Sequence, residues 1–214
     1  MAKIRILIAD DHAVVRRGVA LVLGLEPDFE IVGEVADGQQ AVDAARLLRP
    51  DVILLDLKMP GIDGIAAAKA IKQNSPSSRI LVLTGIEVNQ TIFDALQAGA
   101  DGYVLKNVSP DELARALRAV AAGDGYLHTA VTRHILRRLS PASPTPARMD
   151  LTPRERDVLR LLATSATNRS IANQLGISEE TVRSHVKNIL AKLGQPTRTQ
   201  AVVAALKAAL IELE

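Results

Sequence analysis

The chain has 214 residues, a formal net charge of +2, 48% apolar side chains and only 2% aromatic ones. It contains no cysteine, which excludes disulfides, thiolate chemistry and cysteine-ligated zinc, and the scarcity of aromatics argues against a protein that stacks single-stranded bases. No uninterrupted apolar run reaches the roughly 18 residues that a membrane span needs, and the amino end lacks the basic start and long apolar stretch of a secretory signal, so a cytoplasmic protein without membrane contact is expected.

From the amino end, short apolar runs alternate with stretches of helical spacing. The runs are Ile4–Ala9, Ile31–Val35, Val52–Leu55, Ile80–Leu83 and Gly102–Leu105. Between and after them the spacing predicts helices over Val14–Leu25, Ala41–Leu48, Ile65–Ile71, Thr91–Ala98 and Pro110–Ala121. Such alternation predicts an α/β domain over residues 1–122, an open, doubly wound, five-stranded parallel sheet with helices on both faces. Near-continuous apolar strands suit a sheet covered on both sides. Over 123–139, Val131, Ile135 and Leu139 predict one more helix, and the prolines at 141, 144 and 146 then make a semi-extended tether, so 123–148 reads as a linker.

The remainder, 149–214, is helical throughout. Thr152-Pro153-Arg154-Glu155 is a capping box that starts a helix to about Ala163. A short helix over Ser170–Leu175, a turn at Gly176-Ile177 and a helix over Glu179–Leu193 capped by Ser178 follow. Thr197–Gln200 is a second capping box, opening a last helix to about Glu212. Charge is uneven: residues 1–122 hold 13 basic against 16 acidic side chains, and 123–148 hold 4 against 1. A basic rear half hints at a polyanionic partner.

In an open parallel sheet the carboxyl ends of the strands form the ligand crevice. Asp10 and Asp11 follow the first strand, Asp56 the third, Thr84 closes the fourth and Lys106 follows the fifth. Three carboxylates, a hydroxyl and an amine are thereby predicted to converge. Clustered carboxylates favour a hard divalent cation such as Mg2+. A carboxylate beside Mg2+ can attack phosphorus to give an aspartyl phosphate, with metal and lysine neutralising the phosphoryl charge. Each residue alone is unremarkable, since an acid after a strand is usually a solvated loop residue or a helix cap; the specificity lies in the conjunction.

In the carboxyl-terminal part, Val182, Val186, Ile189, Leu190 and Leu193 make one apolar helix face, while Arg183, Ser184, Lys187 and Asn188 lie on another that carries no acid between Thr181 and Lys192. A cationic, amide-bearing face can enter a major groove, with Arg183 suited to guanine edges and Ser184 and Lys187 able to reach bases. With the preceding short helix and the turn at Gly176 it forms a helix-turn-helix. Asn168, at the start of the short helix, and Thr181 are placed to meet phosphates. A basic amphipathic helix is more commonly a solvated or partner-binding face; the turn and the spacing raise the DNA reading above that.

The segments Ile8–His12, Leu54–Gly64, Leu83–Gly85 and Gly99–Lys106 resemble receiver domains of two-component response regulators. Leu151–Leu159, Asn168–Ala172, Leu175–Gly194 and Arg198–Ala201 resemble a LuxR-type domain, departing at Ser165, where glycine is common, and at Ser170, where glutamate is. The whole chain is similar to the NarL/FixJ family. That resemblance implies a flavodoxin-like strand order 2-1-3-4-5 and a four-helix DNA-binding domain. It implies that a cognate histidine kinase phosphorylates Asp56, that Asp10, Asp11, Asp56 and the Lys58 carbonyl hold Mg2+, that Thr84 and Tyr103 form a switch pair and that Lys106 contacts the phosphoryl group. Tyr103 is expected to swing inward once Thr84 has moved. Arg183, Ser184 and Lys187 are expected at bases, and Asn168, Thr181, Asn188, Lys192 and Arg198 at phosphates. The implied partners are double-stranded DNA, RNA polymerase and a second copy of the chain, paired partly through Val202, Val203, Leu206 and Leu210 of the last helix.

Two rival readings share these features. A Mg2+-dependent phosphatase with an aspartyl nucleophile commonly carries a second acid two residues on, where this chain has Lys58. An interaction module could use the basic helix on RNA or an acidic protein.

Overall fold

The computed structural model describes residues 3–85, 90–128, 131, 151–164, 166–208 and 210–211. The chain divides into two compact units, Met1–Tyr126 and Leu127–Glu214. The first unit alternates β1 (Ile4–Ala9), α1 (Ala13–Gly24), β2 (Phe29–Val35), α2 (Gly38–Leu48), β3 (Val52–Leu55), α3 (Gly64–Asn74), β4 (Arg79–Thr84), α4 (Gln90–Gln97), β5 (Gly102–Leu105) and α5 (Pro110–Ala121). Strand order is 2-1-3-4-5, parallel throughout these five, with a sixth strand, β6 (Tyr126–Leu127), added beside β5.

β6 is the one addition to the expected sheet and falls where the linker helix was expected to begin. Two residues carry no readable alternation, and the backbone N–H of Tyr126 reaches the carbonyl of Asp101 at 3.3 Å only because α5 returns the chain to that edge. Beyond residue 128, and apart from Val131, the predicted linker helix and all of the proline-rich segment lie outside the described residues, as does Ser165.

Successive strand side chains point to opposite faces. Ile6, Ile8, Leu54, Leu81, Leu83 and Val104 pack with Leu23 of α1 and with Leu113, Leu117 and Val120 of α5. Leu7, Ile53, Leu55, Ile80 and Val82, at the alternate positions, are also fully or almost fully buried. Both faces are therefore dry, which is why these strands read as unbroken apolar runs. Asp37, Asp63 and Ser109 cap α2, α3 and α5 by accepting from the backbone N–H three residues on.

The second unit contains α6 (Pro153–Ala163), α7 (Asn168–Leu175), α8 (Glu179–Leu193) and α9 (Arg198–Lys207). The predicted capping box is present at α6, with Thr152 and Glu155 satisfying one another's backbone N–H groups. Gly176 and Gly194 end α7 and α8 in the left-handed conformation, φ 65° and 61°. Val158, Leu159, Ile171, Val182, Ile189 and Ala205 form the dry centre. The last helix stops at Lys207, short of the predicted end.

Candidate functional site

Parallel pairing carries the acids to one rim. The ladder continues one residue past the strands: the N–H of Asp56 donates to the Ala9 carbonyl at 2.8 Å, and that of Lys106 to the Thr84 carbonyl at 2.8 Å. Asp10 and Asp56 are only 2% and 3% exposed. Lys106 Nζ lies 2.6 Å from Oδ2 of each. With Asp56 this is a hydrogen bond. Asp10 Oδ2 is buried and has the Lys106 ammonium as its close polar neighbour. Burial alone would lower the pKa of the Lys106 ammonium, but the contacts with Asp10 and Asp56 outweigh it and raise it above the ordinary lysine value.

Asp11 is more open, and His12, which the sequence reading did not single out, sets its Nδ1 2.6 Å from Asp11 Oδ1 and 3.5 Å from Asp10 Oδ1. One ligand atom from each of Asp10, Asp11, His12 and Asp56 can be chosen so that all lie within 4.8 Å of one another. The donor set is rich in hard carboxylate oxygen, with three acids gathered around one ammonium, which fits Mg2+. Lys58 has an exposed side chain, and its N–H donates to Asp56 Oδ1 at 3.3 Å, so its peptide lies against the acids.

Thr84 and Tyr103 are both wholly buried. The Tyr103 hydroxyl hydrogen-bonds Thr84, and its pKa is pushed up by burial first and by the Asp56 charge second. In this conformation Tyr103 lies inside with Thr84 beside it.

The loop after β3 is confined by two glycines. A Cβ on Gly64 would run into the Asp56 carbonyl and the Leu57 Cα, and one on Gly38 at the start of α2 into the Ile62 carbonyl. The missing side chains let α2 and α3 close on the loop that presents Asp56.

On α8 the exposed side is formed by Thr181, Arg183, Ser184, Lys187 and Asn188. Arg183 is tethered by acids in the first turn of the same helix, 3.8 Å from Glu179 and 3.2 Å from Glu180. These acids lie just ahead of the acid-free stretch. Three residues expected at phosphates are engaged within the domain. Arg198 is 7% exposed and donates to the Asn168 side chain at 3.4 Å and to the Ala166 carbonyl. Asn168 is itself buried. In this conformation the guanidinium is a strut between α9 and the start of α7. Lys192 donates to the buried Glu155 at 2.7 Å, tying α8 to α6. Val202, Val203 and Leu206 are 2%, 7% and 7% exposed, so the apolar face of α9 is largely used inside its own unit.

A doubly wound parallel sheet with a buried aspartate and a lysine at its carboxyl rim, followed by a helix-turn-helix, defines a receiver linked to a DNA-binding domain. Comparison agrees. The family "Response regulator receiver domain" matches residues 6–118 and "Bacterial regulatory proteins, luxR family" matches 149–205. The chain is 40% identical to the nitrate/nitrite response regulator protein NarL of Escherichia coli K12 over 200 residues, covering 92% of this chain and 93% of that protein. It is 41% identical to the transcriptional regulatory protein LiaR of Bacillus subtilis, over 94% of this chain and 95% of that one. The two-component response regulator RcsB in complex with DNA superposes with a TM-score of 0.59 at 30% identity, over 96% of this chain and 98% of that one. The chain belongs to the NarL/FixJ family of two-component response regulators. These relatives are transcription regulators rather than enzymes, and the phosphatase reading falls with that.

Proposed function

We propose that phosphorylation of Asp56 by a histidine kinase controls dimerisation of the chain and its sequence-specific binding to duplex DNA, and through RNA polymerase the transcription of its targets in the cytoplasm. The observation that carries this reading is the convergence of Asp10, Asp56 and Lys106 within 2.6 Å contacts at one rim, with Asp11 beside them. An Asp56 carboxylate oxygen attacks the phosphorus of a phosphohistidine; the O–P bond forms, the P–N bond breaks and the imidazole leaves with the bond pair. Asp10, Asp11, Asp56 and the Lys58 carbonyl would hold Mg2+, which when bound supplies positive charge against the transferring phosphoryl oxygens. Lys106 neutralises from the other side, and Thr84 offers its hydroxyl to the product oxygens. The domains run 1–122 for the receiver, 123–148 for the linker and 149–214 for the DNA-binding part.

Arg183, Ser184 and Lys187 read bases in a major groove, while Thr181 and Asn188 hold phosphates. Arg198 and Asn168 keep α7 and α9 in place, and Lys192 anchors α8. Labelling by acetyl phosphate with Mg2+ tests the first half: wild type takes up phosphate and Asp56→Asn, still folded, does not. A gel shift tests the second: phosphodonor strengthens duplex binding, and Arg183→Ala with Lys187→Ala weakens it. Equal binding to any polyanion would refute sequence-specific control, and undiminished labelling of Asp56→Asn would move the acceptor elsewhere.

A further inference from the structure

We propose that Arg16, in α1, is a positioning residue for the acidic pocket: it fixes the peptide joining Asp10 to Asp11 and so sets how those two carboxylates meet a divalent cation. The inference rests on the reading that these acids, with Asp56, hold Mg2+. Arg16 points inward, its side chain only 16% exposed. One guanidinium N–H donates to the Asp10 carbonyl at 2.6 Å, and Nε lies 3.8 Å from Glu34 Oε2 on β2. Burying a guanidinium is costly unless its donors are used, and here one goes to the backbone of the pocket itself.

The backbone of Asp10 is thereby held at both ends. Its N–H donates to the Val35 carbonyl at 3.2 Å and its carbonyl accepts from Arg16. Asp11 begins on the far side of that same peptide. Its carboxylate is partly exposed and paired with the exposed His12 ring, a weak anchor. Rotation of the peptide between residues 10 and 11 would swing the Asp11 side chain away from Asp10 and Asp56. Arg16 is the side chain seen to hold the carbonyl of that peptide.

Charge and position predict opposite signs. A nearby cation repels Mg2+, so if Arg16 acted only as a charge its removal would tighten metal binding. If it positions, removal loosens binding despite the lost repulsion. Isothermal titration calorimetry of the full chain with MgCl2 distinguishes them, using wild type, Arg16→Ala, Arg16→Met and Arg16→Lys, with folding followed by circular dichroism. Arg16→Met keeps the apolar stem and guards against collapse of the site. The expected result is roughly tenfold weaker Mg2+ binding in the Ala and Met variants and recovery to within a few fold in Arg16→Lys, whose ammonium can still donate to the carbonyl. Binding equal to or tighter than wild type in a folded Ala or Met variant overturns the proposal, as does loss of fold in both. Failure of wild type to bind Mg2+ at all removes the reading of the pocket together with the proposal, whereas normal wild-type binding that Asp56→Asn weakens and Arg16→Met does not removes the proposal alone.

Discussion

Lys106 holds the balance of the pocket at the scale of single residues. Two nearly buried carboxylates face it at 2.6 Å, and no other cation contacts both among the described residues. Removing one partner of such a group leaves uncompensated charge in a dry place. Lys106→Met is therefore expected to destabilise the receiver by about 2 kcal/mol in metal-free buffer, measured by urea unfolding, and added Mg2+ should recover part of that loss by substituting one positive charge for another. A Mg2+-independent loss would assign Lys106 a packing role instead. At the DNA end, Arg183→Ala should cost about 1–3 kcal/mol at a preferred site and relax base preference at one position, read by competition among site variants, whereas Asn188→Ala should weaken all duplexes alike. Glu180→Gln is expected to strengthen binding modestly, since it releases Arg183 and removes an anion near the phosphates.

Between elements, one contact that ties α8 to α6 is Lys192 on Glu155. Glu155 is buried, which by itself would raise its pKa, but the hydrogen bonds from Lys192 and Thr152 prevail and lower it below the ordinary 4.5. The stabilisation is then complete above about pH 4.5 and lost as pH falls through the lower folded value. Thermal melts should show wild type more stable than Glu155→Gln at pH 7, with the gap narrowing below pH 4.5; a gap independent of pH would exclude the ionised carboxylate as its source. The elements themselves were largely legible beforehand, because apolar strands and 3.6-residue spacing are local signals and the caps Thr152, Ser178 and Thr197 sit where their residue types indicate. The acids were legible for a topological reason: in a parallel sheet every residue just after a strand reaches the same rim. Arg198 and Asn168 were not, since their exposure is decided by packing 30 residues apart in the chain, and an arginine and an asparagine at helix starts look the same whether they face water or each other. Arg16 carried no signal either, as nothing in a helix of this composition says which arginine turns back to a carbonyl.

On the scale of the whole molecule, the two ends of the receiver sheet differ in kind. At the strand amino ends the buried Asp101 accepts from Lys72 at 2.7 Å, Arg79 at 3.0 Å and the Ile80 N–H at 2.9 Å, so charge there is answered within the fold. At the carboxyl ends Asp10 and Asp56 share the Lys106 ammonium with Asp11 beside them, so negative charge is left over for a bound cation. Mg2+ at 100 times its dissociation constant should then add roughly 2.7 kcal/mol to the receiver's stability, seen as a raised melting temperature of the full chain that Asp10→Asn abolishes. Exclusion of even a methyl group at positions 38 and 64 has its own consequence for anyone grafting parts between such proteins. The segment 57–63 behaves as a casting whose mould is cut into two helices, so transplanting it without the matching glycines would jam the assembly, and a library built around Asp56 should leave those two codons untouched.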